Sequence, residues 1–250
     1  MTFRAAIIVV LAVAAIAAPA AERPLRVFIR AGEKTHGPGQ HDYPQFLTDW
    51  KKLLNERGAT ADGALVFPSK EQLAKTDVLL IYAPDGGTIN ANERERLQAF
   101  TARGGGLVVL HDGICGTDAD WFKTIIGGAK QHGVMNWKQG KLELTFKTLQ
   151  HPITKGIANF ELDDELFHRL HLMPELTVLA TAAHEGEAVP QLWCYERSTS
   201  AGGGRAFVSL QGHHYRTFSL TPYRGLILRG IAWAGRRDAD LLTKPADLSR

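Results

Sequence analysis

The chain has 250 residues, 44% of them hydrophobic and 22% charged, with a formal net charge of +3. That length and balance suit one α/β domain and exclude a collagenous, low-complexity or disulfide-stapled chain. So small a charge, with no Lys/Arg cluster interleaved with aromatics, argues against a nucleic-acid partner.

Residues 1–21 read as a secretory leader: Arg4 supplies the positive start, Ala5 to Ala17 the apolar stretch, and Ala18-Pro19-Ala20 the small residues of a cleavage site. The apolar run is shorter than the ~20 residues a spanning helix needs, and no Cys at the cleavage point offers a lipid anchor. The expected product is periplasmic or secreted and has no membrane partner once the leader is removed. Residues 22–240 then form one domain, and 241–250 a polar, loosely held tail. Export permits a disulfide between Cys115 and Cys194, but two cysteines are no framework, and the plain reading is two free, buried thiols.

Strands and helices alternate through the first half. Leu25 to Ala31 is an apolar β-like run, and Tyr43 to Arg57 is helical, with Phe46, Trp50, Leu53 and Leu54 at three- and four-residue spacing. Asp42 is placed to cap that helix and Gly58 to end it. Ala64 to Phe67 reads as a second strand, and Asp77 to Tyr82 as a parallel strand covered on both faces. Asn92 to Arg103 is a helix, with Asn90 and Glu93 spaced as a capping box and Gly104-Gly105-Gly106 as its end. Leu107 to Leu110 is the next buried strand. This β-α-β-α-β-α-β order predicts an α/β fold with a doubly wound, flavodoxin-like, mostly parallel sheet and helices on both faces. The second half is richer in strands: Lys141 to Phe146, Thr177 to Ala182, Gln191 to Tyr195 and Ala206 to Leu210. A closing helix starts at Thr221-Pro222 and is apolar on most faces, so it packs on the sheet.

The chemistry gathers just past the strand ends. His36, His41 and Asp42 follow the first strand, His111 and Asp112 follow Leu107 to Leu110, and His213, His214 and Tyr215 follow Ala206 to Leu210. In an open α/β sheet ligands bind outside the carboxyl ends of the strands, so these side chains converge on one crevice. Gly113 and Gly116 permit a sharp turn after the fourth strand that holds a reactive group above the sheet. His111 is the favoured occupant, with Cys115 structural; a Cys115-dependent amidase is the less favoured reading. His213 and His214 are adjacent, so at most one faces the site in extended chain. Glu165 and His168 would share a face of a helix but oppose each other in a strand, and Met173-Pro174 with the strand from Thr177 favours the extended form. A buried Glu165 beside imidazoles would act as acid or base with a raised pKa. His132 joins these as a catalytic candidate, and Trp137 is the candidate platform for a sugar ring. Neutral imidazoles with Asp42 or Glu165 would also suit a divalent ion such as zinc, although no spacing is diagnostic. No glycine-rich loop matches a nucleotide fingerprint.

Several stretches together resemble the ThuA-like (trehalose utilization) family, which shares the flavodoxin-like scaffold of class I glutamine amidotransferases. They are His41-Asp42-Tyr43-Pro44, Gly104 to His111, Ile126-Gly127-Gly128 with His132-Gly133, His151-Pro152-Ile153-Thr154-Lys155-Gly156-Ile157, Asp164-Glu165 with His168, and Gly212-His213-His214. The resemblance implies carbohydrate metabolism, with links to trehalose, related disaccharides and keto-sugars. It also implies that His111 stands where true amidotransferases carry their Cys. A His-x-Glu pair near the C-terminal part is lacking, and His184-Glu185 has the wrong spacing, so glutamine amidotransfer is not expected.

The reading is an exported enzyme doing acid–base chemistry (hydrolysis, elimination or isomerisation) on a glycoside or keto-sugar. His41, His111, Asp112, His132, Glu165, His213 and His214 are its catalytic candidates, and His36, Asp42, Trp137 and Tyr215 its substrate-binding candidates. The alternative is a non-catalytic periplasmic sugar-binding protein using the same crevice.

Overall fold

The computed structural model describes residues 23–198, 200 and 202–248; the expected leader lies outside them. Five strands form a parallel block: β1 (Arg26–Ala31), β2 (Thr60–Ala64), β3 (Val78–Tyr82), β4 (Gly106–Leu110) and β12 (Arg205–Ser209), in the order β2-β1-β3-β4-β12. This is the flavodoxin order, in which the chain reverses direction across the sheet between β1 and β3. Every residue of β3 and β4 is buried, as parallel strands with helices on both faces must be. Helices α1 (Tyr43–Glu56) and α5 (Thr221–Ala234) pack on one face, through Phe46, Trp50, Leu226 and Ile227. On the other face lie α2 (Lys70–Ala74), α3 (Ala91–Ala102) and α4 (Ala119–Ile126), through Leu73, Leu97, Phe100 and Phe122. The capping box expected at Asn90 and Glu93 is present, and a second one, Ser69 with Gln72, starts α2.

Beyond β12 the sheet turns antiparallel, through β11 (Glu187–Glu196), β10 (Thr177–His184), β7 (Trp137–Phe146) and β8 (Phe160–Phe167). Parallel pairing is thus confined to the first half of the nine-stranded sheet. The β7–β8 ladder runs from Leu144 opposite Phe160 to Trp137 opposite Phe167, and it sets Gln139 opposite Glu165. A small sheet of β5 (Cys115–Gly116), β6 (Gly128–Gln131) and β9 (His171–Leu172) covers the side of the same region.

Three local expectations are corrected. The second strand is Thr60–Ala64, not Ala64 to Phe67, because parallel register with β1 pairs Arg26 with Thr60 and Arg30 with Ala64. Val66 lies exposed beyond it, and Phe67 packs under the α2–α3 side. Asp42 sits at the cap position of α1, yet its side chain makes no cap hydrogen bond and pairs instead with Lys34 at 2.8 Å. The expected loose tail is docked over its described part, 241–248: Asp247, 1% exposed, pairs with Arg57 at 2.5 Å and Arg224 at 3.0 Å, and Leu242 is buried. Composition alone made that segment look unattached, since its anchors lie on α1 and α5.

α5 approaches β12 at Gly230, where an added Cβ would fall 2.1 Å from the Phe207 ring. Gly230→Ala is therefore expected to cost about 1–3 kcal/mol by overpacking, read as a lower urea midpoint with an unchanged m-value.

Candidate functional site

The turn after β4 brings the first imidazole to the sheet's carboxyl edge. His111 opens a 3-10 turn, His111–Ile114, with its backbone in the left-handed region at φ 51°. A non-glycine residue held there is uncommon and clusters at functional sites. Its side chain is fully buried, and Nδ1 donates to the Leu210 carbonyl at 3.0 Å. Nε2 is left with its lone pair, 3.0 Å from Nε2 of His41.

His41 arrives from the loop after β1, also at positive φ, 45°. Its Nδ1 lies 3.0 Å from the Thr35 hydroxyl, and its Nε2 lies 2.9 Å from Nδ1 of His213. The backbone N–H of His41 donates to the His213 carbonyl at 2.9 Å, tying the two loops together. The two loops meet again where Gln40 bridges His214.

Asp164, on β8, sets the position of His213. Its carboxylate is fully buried and accepts from the backbone N–H of Gly212 (3.1 Å), His213 (3.0 Å) and Glu165 (2.8 Å), and from the Thr217 hydroxyl (2.5 Å). Its neighbour Glu165 faces the cluster, with Oε1 3.1 Å from Nδ1 of His213 and Oε2 3.8 Å from Nε2 of His111. β8 is extended there, so His168 leaves on the opposite side and stacks on His184 at 4.2 Å.

Burial governs the electrostatics. It pushes the His41 imidazole down to about 2, with His111, His36, His213 and Lys34 adding repulsion. It also lowers His213 to about 4, with His111 next in effect and Asp164 opposing. The Glu165 carboxyl is raised, again by burial first, with the Asp112 and Asp164 charges adding to it and His111 opposing. Burial likewise raises the Cys115 thiol well above its usual range, so it stays protonated. Cys115 and Cys194 are both free and buried.

His41, His111 and His213 each offer a ring nitrogen, and the three nitrogens lie within 4.8 Å of one another. Zinc bonds imidazole at about 2.0–2.1 Å, which places tetrahedral ligand atoms about 3.3 Å apart. The donor set fits such an ion: His41 and His213 are held neutral, and His111 is fixed as a ligand by its hydrogen bond to a backbone carbonyl. His41, His111 and His213 would hold the ion, with Glu165 beside them, Oε1 3.1 Å from His213.

The adjoining pocket, about 360 Å³, is lined by His36, Gln40, Asp85, Asp112, Lys130, His132, Trp137, Gln139 and Phe167 together with His41, His213 and Glu165. Asp112 sits 3.7 Å from His41 and 3.8 Å from His111. Lys130, 8% exposed, holds its ammonium 5.3 Å over the Phe167 ring. Trp137 stands half exposed, next to the apolar Val134 and Met135.

The expected site residues separate. His36, His41, Asp112, His132, Trp137, Glu165 and His213 line this one pocket, and His111 lies fully buried behind it, against His41. His214 turns away from the cluster and holds the Asp163 carbonyl and the Gln139 amide. Asp42 and Tyr215 do not line the pocket: Asp42 pairs with Lys34, and Tyr215 donates to Asp49 on α1 at 2.5 Å. In sequence their neighbours suggested a common direction, but the chain leaves the sheet edge into α1 and into a 3-10 turn, Tyr215–Ser219, that rotate both side chains off it. Asp85, Lys130, Gln40, Gln139 and the clamp Asp164 escaped sequence reasoning. Only Asp164 carried a hint, as the first member of the Asp164-Glu165 pair.

The family model ThuA, described as trehalose utilisation, matches residues 26–234. No curated protein matches the chain. Among solved structures, a Bacteroides uniformis protein described as ThuA-like aligns with TM-score 0.67 at 20% identity, over 90% of this chain and 99% of that one. The N-terminal domain of mmIFT52 aligns with TM-score 0.52 at 12% identity, over 76% and 87%. A β-galactosidase from Rahnella sp. R3 aligns with TM-score 0.52 at 16% identity, over 78% of this chain but 30% of the enzyme. At these identities the likeness is one of fold.

Two outcomes follow from the geometry. Asp164→Ala strands the Gly212, His213 and Glu165 N–H groups and the Thr217 hydroxyl; at about 1–3 kcal/mol for each buried unsatisfied group, the loss is expected to exceed about 3 kcal/mol by urea unfolding. In metal-free protein His41 and His213 stay neutral where the unfolded chain takes up protons. Their contribution is complete above about pH 6.5. It falls on acidification, by up to about 1.4 kcal/mol per pH unit for each ring, and for His213 the fall ends near pH 4. Urea midpoints measured from pH 7.5 to 4.5 are expected to decline less steeply in His213→Gln.

Proposed function

The chain belongs to the ThuA family, and from that membership and the pocket's chemistry we propose that it is an exported sugar-processing enzyme acting on a glycoside or keto-sugar by acid–base hydrolysis, elimination or isomerisation. One observation carries the reading: three imidazoles from three separate segments meet beside Glu165 in a polar pocket with Trp137 at its rim. The family's link to trehalose utilisation supports a carbohydrate as the ligand, and the expected leader supports export.

The lining suits a sugar. Trp137 offers an aromatic face to the apolar side of a pyranose ring. Gln40, Gln139, Asp112 and Lys130 offer donors and acceptors to its hydroxyls, the mix of a few polar groups and apolar wall found at small-molecule sites. Glu165, its carboxyl raised by burial, is the group suited to exchanging a proton with a sugar oxygen. His111 presents a fixed lone pair toward His41, as a ligand of the cluster. A divalent ion on His41, His111 and His213 would supply polarisation of a sugar carbonyl or hydroxyl. The protonated Cys115 thiol supports no amidase reaction.

The test pairs elemental analysis of the purified protein with a panel of trehalose, related disaccharides and their 3-keto derivatives, products being followed by mass spectrometry. Wild type is expected to carry about one divalent ion per chain and to convert at least one sugar. His111→Ala should lose the ion and lower turnover by about 10²-fold or more. Unchanged turnover of every sugar in His111→Ala defeats the reading, and saturable binding with no product would make the protein a carrier instead.

A further inference from the structure

We propose that Asp85 and His132 form a proton-accepting dyad at the rim of the pocket, in which Asp85 fixes His132 as its Nδ1–H tautomer so that a bare Nε2 serves the substrate. The assignment deepens the sugar-processing reading and rests on it for the reaction, while its geometry stands independently.

The clustered imidazoles are poorly placed to relay protons. His111 spends Nδ1 on the Leu210 carbonyl, His41 spends its Nδ1 on Thr35, and their remaining nitrogens face one another or His213. All three rings are buried. A residue that takes a proton from substrate and returns it to water needs one nitrogen on the ligand side and a route to solvent. His132 has both. Its side chain is 53% exposed and lines the pocket. Its Nδ1 lies 2.6 Å from Oδ1 of Asp85. A carboxylate only accepts, so the hydrogen sits on Nδ1, and Nε2 makes no hydrogen bond among the described residues. This is the orienting logic of an acid–histidine pair behind a reacting group.

An incidental surface pair would be held by flexible side chains and be worth little, but this pair is pinned by backbone. Asp85 follows β3 with φ at 47°, in the left-handed region. The next two residues dock on the turn that carries His111: Gly86 N–H donates to the Asp112 carbonyl at 3.2 Å, and Gly87 N–H to the Cys115 carbonyl at 2.7 Å. The approach is close, since an added Cβ on Gly86 would come within 2.5 Å of the Gly113 carbonyl oxygen. His132 N–H donates to the Gly116 carbonyl at 2.8 Å. Both members of the dyad are thereby fixed to the segment that also supplies His111 and Asp112. In the reaction, the Nε2 lone pair takes the proton of a sugar hydroxyl, or of a C–H beside a carbonyl. The broken bond's electron pair stays on the sugar, and the proton leaves through the open rim to water.

Long-range proton–nitrogen NMR of the ring nitrogens in the folded protein tests the dyad without any substrate. Wild-type His132 is expected as the Nδ1–H tautomer, and Asp85→Asn should abolish that preference while leaving the thermal midpoint and metal content unchanged. On any sugar the wild type converts, His132→Gln should lower kcat by about 10²-fold with KM changed less than threefold, and Asp85→Asn by about tenfold. An Nε2–H His132 in wild type overturns the proposal whatever the sugar panel shows, as does wild-type kcat in His132→Gln. An Nδ1–H His132 lost in Asp85→Asn, in a protein that converts no sugar, upholds the dyad and defeats only the enzymatic reading.

Discussion

The site depends on one buried carboxylate. Asp164 holds the backbone of Gly212 and His213, the Thr217 hydroxyl and the N–H of Glu165 in a single shell of hydrogen bonds. The loop after β12 belongs to the parallel block, and β8 belongs to the antiparallel arm. Joining them places a carboxylate beside an imidazole, with Glu165 Oε1 at 3.1 Å from His213. A buried charge is costly unless fully hydrogen-bonded, and here donors surround it. The arrangement is all-or-none: a partly satisfied shell of this kind is worse than none.

The two halves of the sheet divide the work. The parallel block supplies the floor, since the loops after β1, β4 and β12 open at one edge and deliver His41, His111 and His213. The antiparallel arm supplies a wall, as the β7–β8 ladder carries Trp137, Gln139, Glu165 and Phe167 across that edge. Strands fix Glu165 and Trp137, and a backbone hydrogen bond between His41 and His213 ties two of the imidazole loops together. Burial keeps His41 and His213 neutral, which suits ligands to a cation. The exposed rim is the part open to proton exchange with water.

The scaffold itself commits to little chemistry. It aligns with a ThuA-like protein, with a domain of mmIFT52 and with under a third of a β-galactosidase, and a shared fold does not carry a shared reaction. The individuality lies in the turn after β4. His111 takes the strained position above the sheet there, and the nearby thiol of Cys115 is buried with its Sγ 3.6 Å from Asp112. The imidazole at that point is backed by two more, those of His41 and His213.

Much of this was legible in the linear chain, for local reasons. The runs that became β1, β3 and β4 are continuous apolar stretches, and that pattern already implies a sheet covered on both faces, so the imidazoles just past the strand ends had to approach one edge. Glu165 could be read as extended because Pro174 and the strand at Thr177 leave no room for a helix. Register and side-chain direction were decided only by tertiary structure. β2 formed from the polar Thr60–Ala64 because pairing with β1 outweighed local hydrophobicity, and Asp42 and Tyr215 turned away because the elements that follow them rotate the chain. Asp164 and Asp85 look like any surface acid in Asp163-Asp164-Glu165 and Pro84-Asp85-Gly86. A carboxylate's role depends on which donors lie around it, and those of Asp164 and Asp85 come mainly from segments about 50 residues away, contacts that no short-range pattern encodes.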